Sequence, residues 1–136
     1  GLGDVYKRQG LMLPLLFPLF KAAPAVLALI GTGASVDDPV RVYRHGTAPQ
    51  GVKVPYVTWA VPGGAPDNDL QGAAADFARV HVDCWADDDK QVELLANAVR
   101  AALEKGGVCV AFIADGRDFE TQRFRMGYAF DFITPK

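Results

Sequence analysis

The sequence predicts an α+β domain, a small and mainly antiparallel sheet with helices packed on one face. Residues 77–86 alternate between apolar and polar side chains, as a half-buried strand does, and a long amphipathic helix follows at once. The other strand-like segments are grouped before and after that helix, a grouping typical of α+β domains. A chain of 136 residues is long enough for one such core and too short for two.

Two short helices are predicted in the apolar start of the chain. The first covers Pro14–Ala22, and the second begins at Pro24 and ends at Gly31. Proline is accepted in a first helical turn because its missing N–H has no partner there, and glycine suits a left-handed cap. A membrane span is disfavoured because three prolines and Lys21 interrupt the apolar run.

Residues 1–11 are interpreted as a non-native, adapter-derived extension. Asp4–Gln9 would be encoded by GAT-GTG-TAT-AAG-AGA-CAG, a string that resembles the transposon mosaic end used to fragment DNA for sequencing libraries. On this hypothesis translation starts at Met12, and residues 12–136 form a single domain. Removing Asp4, Lys7 and Arg8 leaves 14 − 2 = 12 basic and 16 − 1 = 15 acidic residues, so the net charge changes from −2 to −3.

Five strands are predicted in all. Val40–Tyr43 and Tyr56–Val61 come before the strand at 77–86. That strand has Val80, Val82, Cys84 and Ala86 on one face and Arg79, His81, Asp83 and Trp85 on the other. Val108–Ala114 is apolar on both faces, and residues 124–132 alternate again. Residues 115–122 between them are expected to form a hairpin loop or a bulged extension.

The long helix is the most regular element. Its apolar residues recur at helical spacing and form one stripe: Val92, Leu95, Ala96, Val99, Ala102 and Leu103. Asp88 with Gln91 three residues later is typical of a capping box, and Gly106-Gly107 is expected to stop the helix.

A thiol nucleophile is the best catalytic hypothesis, with Cys84 as nucleophile, His81 as base and Asp83 as the orienting carboxylate. Strand geometry opposes it because successive side chains point to opposite faces, which turns Cys84 away from the other two. We therefore expect no catalytic residues. Both Cys84 and Cys109 are interpreted as small core residues, since free cysteines are usually buried.

Metal, cofactor and nucleic-acid sites are not predicted either. Asp87-Asp88-Asp89 has enough carboxylates for a cation, but helix capping and the helix dipole explain three acids at a helix start. The arginines at 117, 123 and 125 are interleaved with Asp115, Asp118 and Glu120, which favours a solvated or interface hairpin over a phosphate-binding strip.

Two segments are predicted to be interaction loops. The first, Pro62–Asp76, is long for an antiparallel connection and has no apolar periodicity, and its candidate contact residues are Gly64, Asp67, Asp69 and Leu70. The second is the hairpin, with Arg117, Phe119 and Arg123. The first loop either becomes ordered against a neighbouring subunit, with Leu70 as its apolar anchor, or is a plain solvated connector.

The order of several short motifs carries a family resemblance that covers Met12–Thr134. It runs through Gly46-Thr47-Ala48-Pro49-Gln50-Gly51, Pro55-Tyr56-Val57-Thr58-Trp59, Val82-Asp83-Cys84-Trp85-Ala86 and Arg117-Asp118-Phe119-Glu120-Thr121. In this order the chain resembles the tail completion, or tail terminator, proteins of long-tailed bacteriophages and prophages. That resemblance implies a structural protein and no enzyme.

What the family implies is an assembly role. Such a domain is expected to form a homo-oligomeric ring, hexameric in the family, on the last ring of the tail tube. There it stops tube growth and offers a surface to the head-completion or connector protein. The expected location is the virion tail, after assembly in the host cytoplasm. Two alternatives stay open: a head-closure or connector subunit of the phage neck, and a cysteine-dependent hydrolase.

Overall fold

The computed structural model describes residues 12–61 and 75–135. They form three helices and five strands: α1 (Met12–Lys21), α2 (Pro24–Ile30), β1 (Val42–Arg44), β2 (Tyr56–Ala60), β3 (Ala75–Ala86), α3 (Asp89–Leu103), β4 (Val108–Arg117) and β5 (Phe124–Pro135). The predicted order of elements and the predicted α+β class are confirmed.

The five strands form one open sheet in the order β1-β2-β3-β5-β4. Neighbouring strands are antiparallel except β1, which runs parallel to β2. The long central pair is β3 and β5, whose register extends from Ala75 opposite Pro135 to Ala86 opposite Phe124. The sheet therefore has two edges of very different length, three residues in β1 and ten in β4.

The helices pack on one face of this sheet, which we call the helix face. The stripe predicted for α3 is buried as a unit against β3 and β5. On the strands the side chains beneath it are fully buried: Val80, Val82, Cys84, Ala86 and Phe130. The alternation predicted for β3 is confirmed, since Arg79 and His81 lie on the opposite face, which we call the open face.

The N-terminal cap of α3 has the predicted chemistry with one shift. The Asp88 carboxylate accepts a hydrogen bond from the Gln91 N–H at 2.7 Å. The return bond to the Gln91 side chain comes from the Asp87 N–H at 3.4 Å, one residue earlier than a capping box requires. At the other end, the N–H groups of Gly106 and Gly107 both donate to the Leu103 carbonyl and close the helix.

Several predicted boundaries were wrong by a few residues. The helix α1 starts and ends earlier than predicted, and β1 covers 42–44 instead of 40–43. Gly31 has the positive φ that a left-handed cap requires, 109°, but its ψ of 144° is extended and not left-handed helical. Close approach also requires glycine here, because a Cβ would lie 2.0 Å from the Pro39 carbonyl oxygen.

The most consequential boundary error concerns β4, which continues to Arg117 and leaves only residues 118–123 for the hairpin loop. Register irregularities at 109–111 and 112–114 bulge this strand against β5. The predicted loop 62–76 lies outside the described residues except for its last two, which begin β3. Among the described residues, no helix is long and apolar enough to cross a membrane.

Candidate functional site

The catalytic hypothesis fails on geometry. Cys84 is fully buried on the helix face, opposite Val57 of β2 and Met126 of β5. His81 and Asp83 lie on the open face, as the alternation predicted. Burial raises the pKa of the Cys84 thiol, and the neighbouring Asp83 carboxylate raises it further. A thiol that is inaccessible and protonated is a poor nucleophile.

The prediction that both cysteines are core residues is confirmed for Cys84 and holds only in part for Cys109. Cys109 packs against the core but is half-buried, because β4 is an edge strand with only one neighbouring strand, β5. The sequence could not predict this difference, because the preference of free cysteine for burial does not tell which strand lies at the edge of the sheet.

Replacing Cys84 by alanine is expected to lower the free energy of unfolding by about 1 kcal/mol, the cost of a small buried cavity, and to leave assembly unchanged. Native protein treated with iodoacetamide should carry one label, on Cys109, and a second only after unfolding. Cys109→Ser is the control and should remain unlabelled when native. Labelling of Cys84 in that folded control, or loss of assembly in a folded Cys84→Ala chain, would contradict the structural role.

The arginines predicted near the hairpin do not form a phosphate-binding strip. On the open face Arg125 makes two hydrogen bonds to the Asp83 carboxylate, at 2.9 and 3.2 Å. Arg79 binds Asp131 in the same forked way, at 2.7 and 2.9 Å. Each pair joins β3 to β5 and offsets a positive charge, so this face attracts phosphates weakly.

Aromatic rings extend this row of side-chain contacts across the open face toward β1; we call the whole row the ladder. Tyr56 stacks on Trp85 with ring centroids 6.0 Å apart and planes 8° apart, and Tyr43 meets Tyr56 edge-on at 6.4 Å. Arg123 lies over Tyr56 at 5.4 Å, and Arg125 lies over Trp85 at 5.6 Å. Contacts of this kind stabilise neighbouring strands beyond their burial of area. Sequence reasoning missed the ladder because it depends on the register between strands.

Within the acidic run at the start of α3, Asp88 caps the helix. Asp88 uses its carboxylate on the Gln91 N–H. In the part of the chain that the structure describes, no three metal-binding side chains come together.

Residues 118–123, which we call the hairpin tip, form a tightly bonded loop. The Asp118 carboxylate accepts from the Thr121 N–H at 2.9 Å and from its hydroxyl at 2.8 Å. These bonds, the backbone one first, lower the pKa of Asp118. The Gln122 side chain donates to the Phe119 carbonyl at 2.7 Å. The loop is thus held in one shape while the Phe119 ring is 92% exposed.

Arg117 and Arg123 support the tip from its two sides. Arg117 donates to the Gln122 carbonyl at 3.2 Å. Arg123 donates to the Tyr56 hydroxyl at 3.1 Å, which ties the end of the loop to the start of β2. Of the three predicted hairpin residues, Phe119 is therefore the one that projects from the loop, and the arginines hold the loop in place.

The edge strand β4 carries four large apolar side chains that are between 41% and 61% exposed: Val108, Val110, Phe112 and Ile113. No residue from Val108 to Ala114 is charged. Edge strands of natural sheets are usually protected by charge, proline, bulges or short length, because an open edge pairs with other chains. β4 has two register irregularities but no charge and no proline between Val108 and Ala114. An uncharged apolar edge of this length is typical of a surface that another chain covers.

The opposite edge is protected. The Arg44 carbonyl of β1 accepts from the Thr47 N–H at 2.9 Å and from its hydroxyl at 2.7 Å. The Val42 N–H is bound to the Val40 carbonyl at 3.0 Å. Local turns therefore occupy backbone groups that strand pairing would need, and the two edges of the sheet are chemically different.

The described residues that flank the two predicted interaction loops lie at opposite ends of the sheet. Four of the predicted contact residues lie outside the described residues: Gly64, Asp67, Asp69 and Leu70. Their segment joins the end of β2 to the start of β3, whereas the hairpin lies at the other end of the sheet, where β3 finishes. The 11 residue steps of β3 from Ala75 to Ala86 separate these ends by about 36 Å.

The comparisons with known proteins agree with this fold. A sequence model of the family described as "Tail completion protein gp17" matches residues 14–134. Among solved structures, a chain of the "Virion of native gene transfer agent (GTA) particle" has the same fold, with a TM-score of 0.59 and 19% sequence identity, over 89% of this chain and 92% of that chain. No curated protein sequence matches. Because the family match spans almost the whole chain, the protein belongs to the tail completion protein gp17 family and is a structural protein of the bacteriophage virion.

Proposed function

We propose that this chain closes into a homo-oligomeric ring, a hexamer as the family resemblance implies, that caps the tail tube. The ring stops tube polymerisation and offers a docking surface to the head-completion or connector protein. The observation that carries the proposal is the asymmetry of the sheet, because β4 exposes uncharged apolar residues and β1 is short and occupied by local turns. A ring of identical subunits in one orientation needs two different lateral surfaces.

The connections between the strands support one orientation of the subunit in such a ring. Strands that run roughly along the ring axis put the hairpin tip on one face of the ring and the ends of segment 62–74 on the other. The two predicted loops then serve different partners, one on the tube side and the other on the head side.

The open face suits the inner wall of this ring. A channel through which DNA moves must not bind phosphates, since each contact from Lys or Arg adds to the affinity. Arg79 and Arg125 are each bound in a forked pair to an aspartate on this face. The helix face then points outward. Assembly takes place in the host cytoplasm, before the tail joins the head.

Tail tubes polymerised with and without the purified chain test the proposal. Electron microscopy should show shorter tubes when the chain is present, with extra density at tube ends and none along tube walls. Unchanged tube lengths together with bare tube ends would remove the terminator function. Density on isolated head connectors, with tubes left bare, would favour a neck subunit instead.

Shortening segment 62–74 separates an interaction loop from a plain connector. We expect replacement of Gly64–Ala74 by a short Gly-Ser turn to leave the monomer folded, because β2 and β3 pair through their own register, and to abolish capping of tubes. Circular dichroism checks the fold and tube length checks the function. Leu70→Ser in the full-length segment is the milder companion variant. Normal capping by the shortened chain would reduce the segment to a connector.

A further inference from the structure

We infer that the hairpin tip of one subunit inserts Phe119 and Glu120 into a cavity on the β1 side of a second copy. The inference rests on the proposed ring and names the contact that closes it. The cavity lies beside β1, at one edge of the sheet, and the tip joins β5 to β4, at the other edge. The last tip residue, Arg123, reaches back to the Val52 carbonyl at 3.2 Å, next to the cavity, whereas the side chains of Phe119 and Glu120 are exposed.

The cavity lies between the end of α2, the segment before β2 and the first turn of α3, and its volume is about 340 Å³. Most of its lining surface is polar. Leu27, Leu29 and Val54 supply the apolar part, and two cationic side chains, Arg41 and Lys53, line the same space. A pocket with an apolar part and cations fits an apolar side chain that is followed by a carboxylate.

Arg41 is the buried cation of the cavity. This side chain is buried, only 8% exposed, and donates to the Pro55 and Leu29 carbonyls at 2.9 Å each. No carboxylate among the described residues makes an ion pair with it. The Asp38 carboxylate also lines the cavity, but it accepts from the hydroxyl and the N–H of Thr32, and these bonds lower its pKa. Because two cations and one carboxylate line the cavity, its net charge is positive.

The tip supplies the complementary group. Phe119 is the most exposed aromatic ring among the described residues, and Glu120 beside it is exposed as well. The hydrogen bonds from Thr121 to Asp118 hold the loop in one conformation. A rigid loop loses little conformational entropy on binding, which is what makes an aromatic anchor effective.

Tip and cavity also lie at the same height on the sheet. Arg41 precedes β1, and the row of paired residues beside it runs through Tyr56, Trp85 and Arg125 to Gly116, just before the tip. Four strand spacings, about 19 Å, separate the two edges, and no residue of the tip lines the cavity of its own subunit. In a ring of equally oriented copies, the tip of each subunit faces the cavity of the next.

Substitutions in both surfaces test the contact, with assembly measured by sedimentation velocity in solution and by electron microscopy on tube ends. Phe119→Ala should weaken subunit association by at least about tenfold, whereas Leu94→Ala, an exposed leucine on α3, should change it less than about twofold. Glu120→Lys and Lys53→Glu should each weaken association about three- to tenfold, and the double variant should recover most of the loss. Glu93→Lys on α3 is the charge-matched control.

Covalent trapping gives a second readout. In a Cys109→Ser background, Glu120→Cys combined with Lys53→Cys should give a ladder of disulfide-linked oligomers, and either cysteine alone should give dimers at most. Capping and assembly at wild-type levels in every tip and cavity variant, with no ladder, would overturn the contact and leave the ring intact. A wild-type chain that is monomeric in solution and absent from tube ends would overturn both the ring and the contact.

Discussion

Phe112→Asp is expected to abolish ring assembly and to leave the monomer folded. The Phe112 ring is more than half exposed on β4, and among the described residues it pairs with the Tyr128 ring, edge-on at 5.3 Å. Losing that pair costs the monomer about 1 kcal/mol. A carboxylate buried against a neighbouring subunit with no partner costs the assembly at least about 3 kcal/mol, roughly a hundredfold in the association constant.

Sedimentation velocity and tube-length measurements check this expectation. The control is Val36→Asp, which puts the same charge at an exposed apolar residue in the turn before β1. It should assemble as the wild type does. Rings of normal stability from the Phe112→Asp chain would mean that β4 faces solvent in the virion, and the lateral surface would have to be sought elsewhere on the molecule.

Phe130→Ala is expected to cost about 3–5 kcal/mol of unfolding free energy, the usual loss for a fully buried aromatic ring. Phe130 lies opposite Val80 on β3 and Cys109 on β4, and its ring contacts those of Tyr128 at 6.1 Å and Phe132 at 6.3 Å. Its removal therefore leaves a hole where three strands meet beneath α3.

Urea unfolding monitored by tryptophan fluorescence measures that loss, as a lower midpoint with an unchanged slope. Phe119→Ala removes the same ring from an exposed position and should shift stability by no more than about 0.5 kcal/mol. A loss below about 1 kcal/mol in the Phe130→Ala chain would mean that the sheet and helices pack differently around this ring.

The elements that could be predicted from sequence are those whose pattern is local. The α3 stripe from Val92 to Leu103 and the alternation in β3 each follow from burial on one side, and burial leaves its period in the residues. The order of the strands in the sheet leaves no such pattern in the sequence. Nothing in the residues of β1 states that it runs parallel to β2, or that β5 lies between β3 and β4.

The sequence likewise predicted some of the exposed surfaces and not others. The hairpin was predicted from basic residues interleaved with acidic ones, and the exposure of Phe119 leaves its use as an interface a prediction. The apolar run in β4 has a pattern that a buried central strand also has, so only the sheet order identifies it as an edge. The buried Arg41 left no signal at all, because its partners are the carbonyls of two distant segments.

The protected edge at β1 also limits how free chains misassemble. Sheet proteins with two open edges can add copies at both ends and grow into fibres. In the described part of this chain, turns at Val40 and Thr47 occupy backbone groups of β1, so β4 is the edge left for backbone pairing. Two copies that join through β4 cover that edge in each other. Misassembly by strand pairing through the described edges therefore stops at a pair and does not continue into fibres.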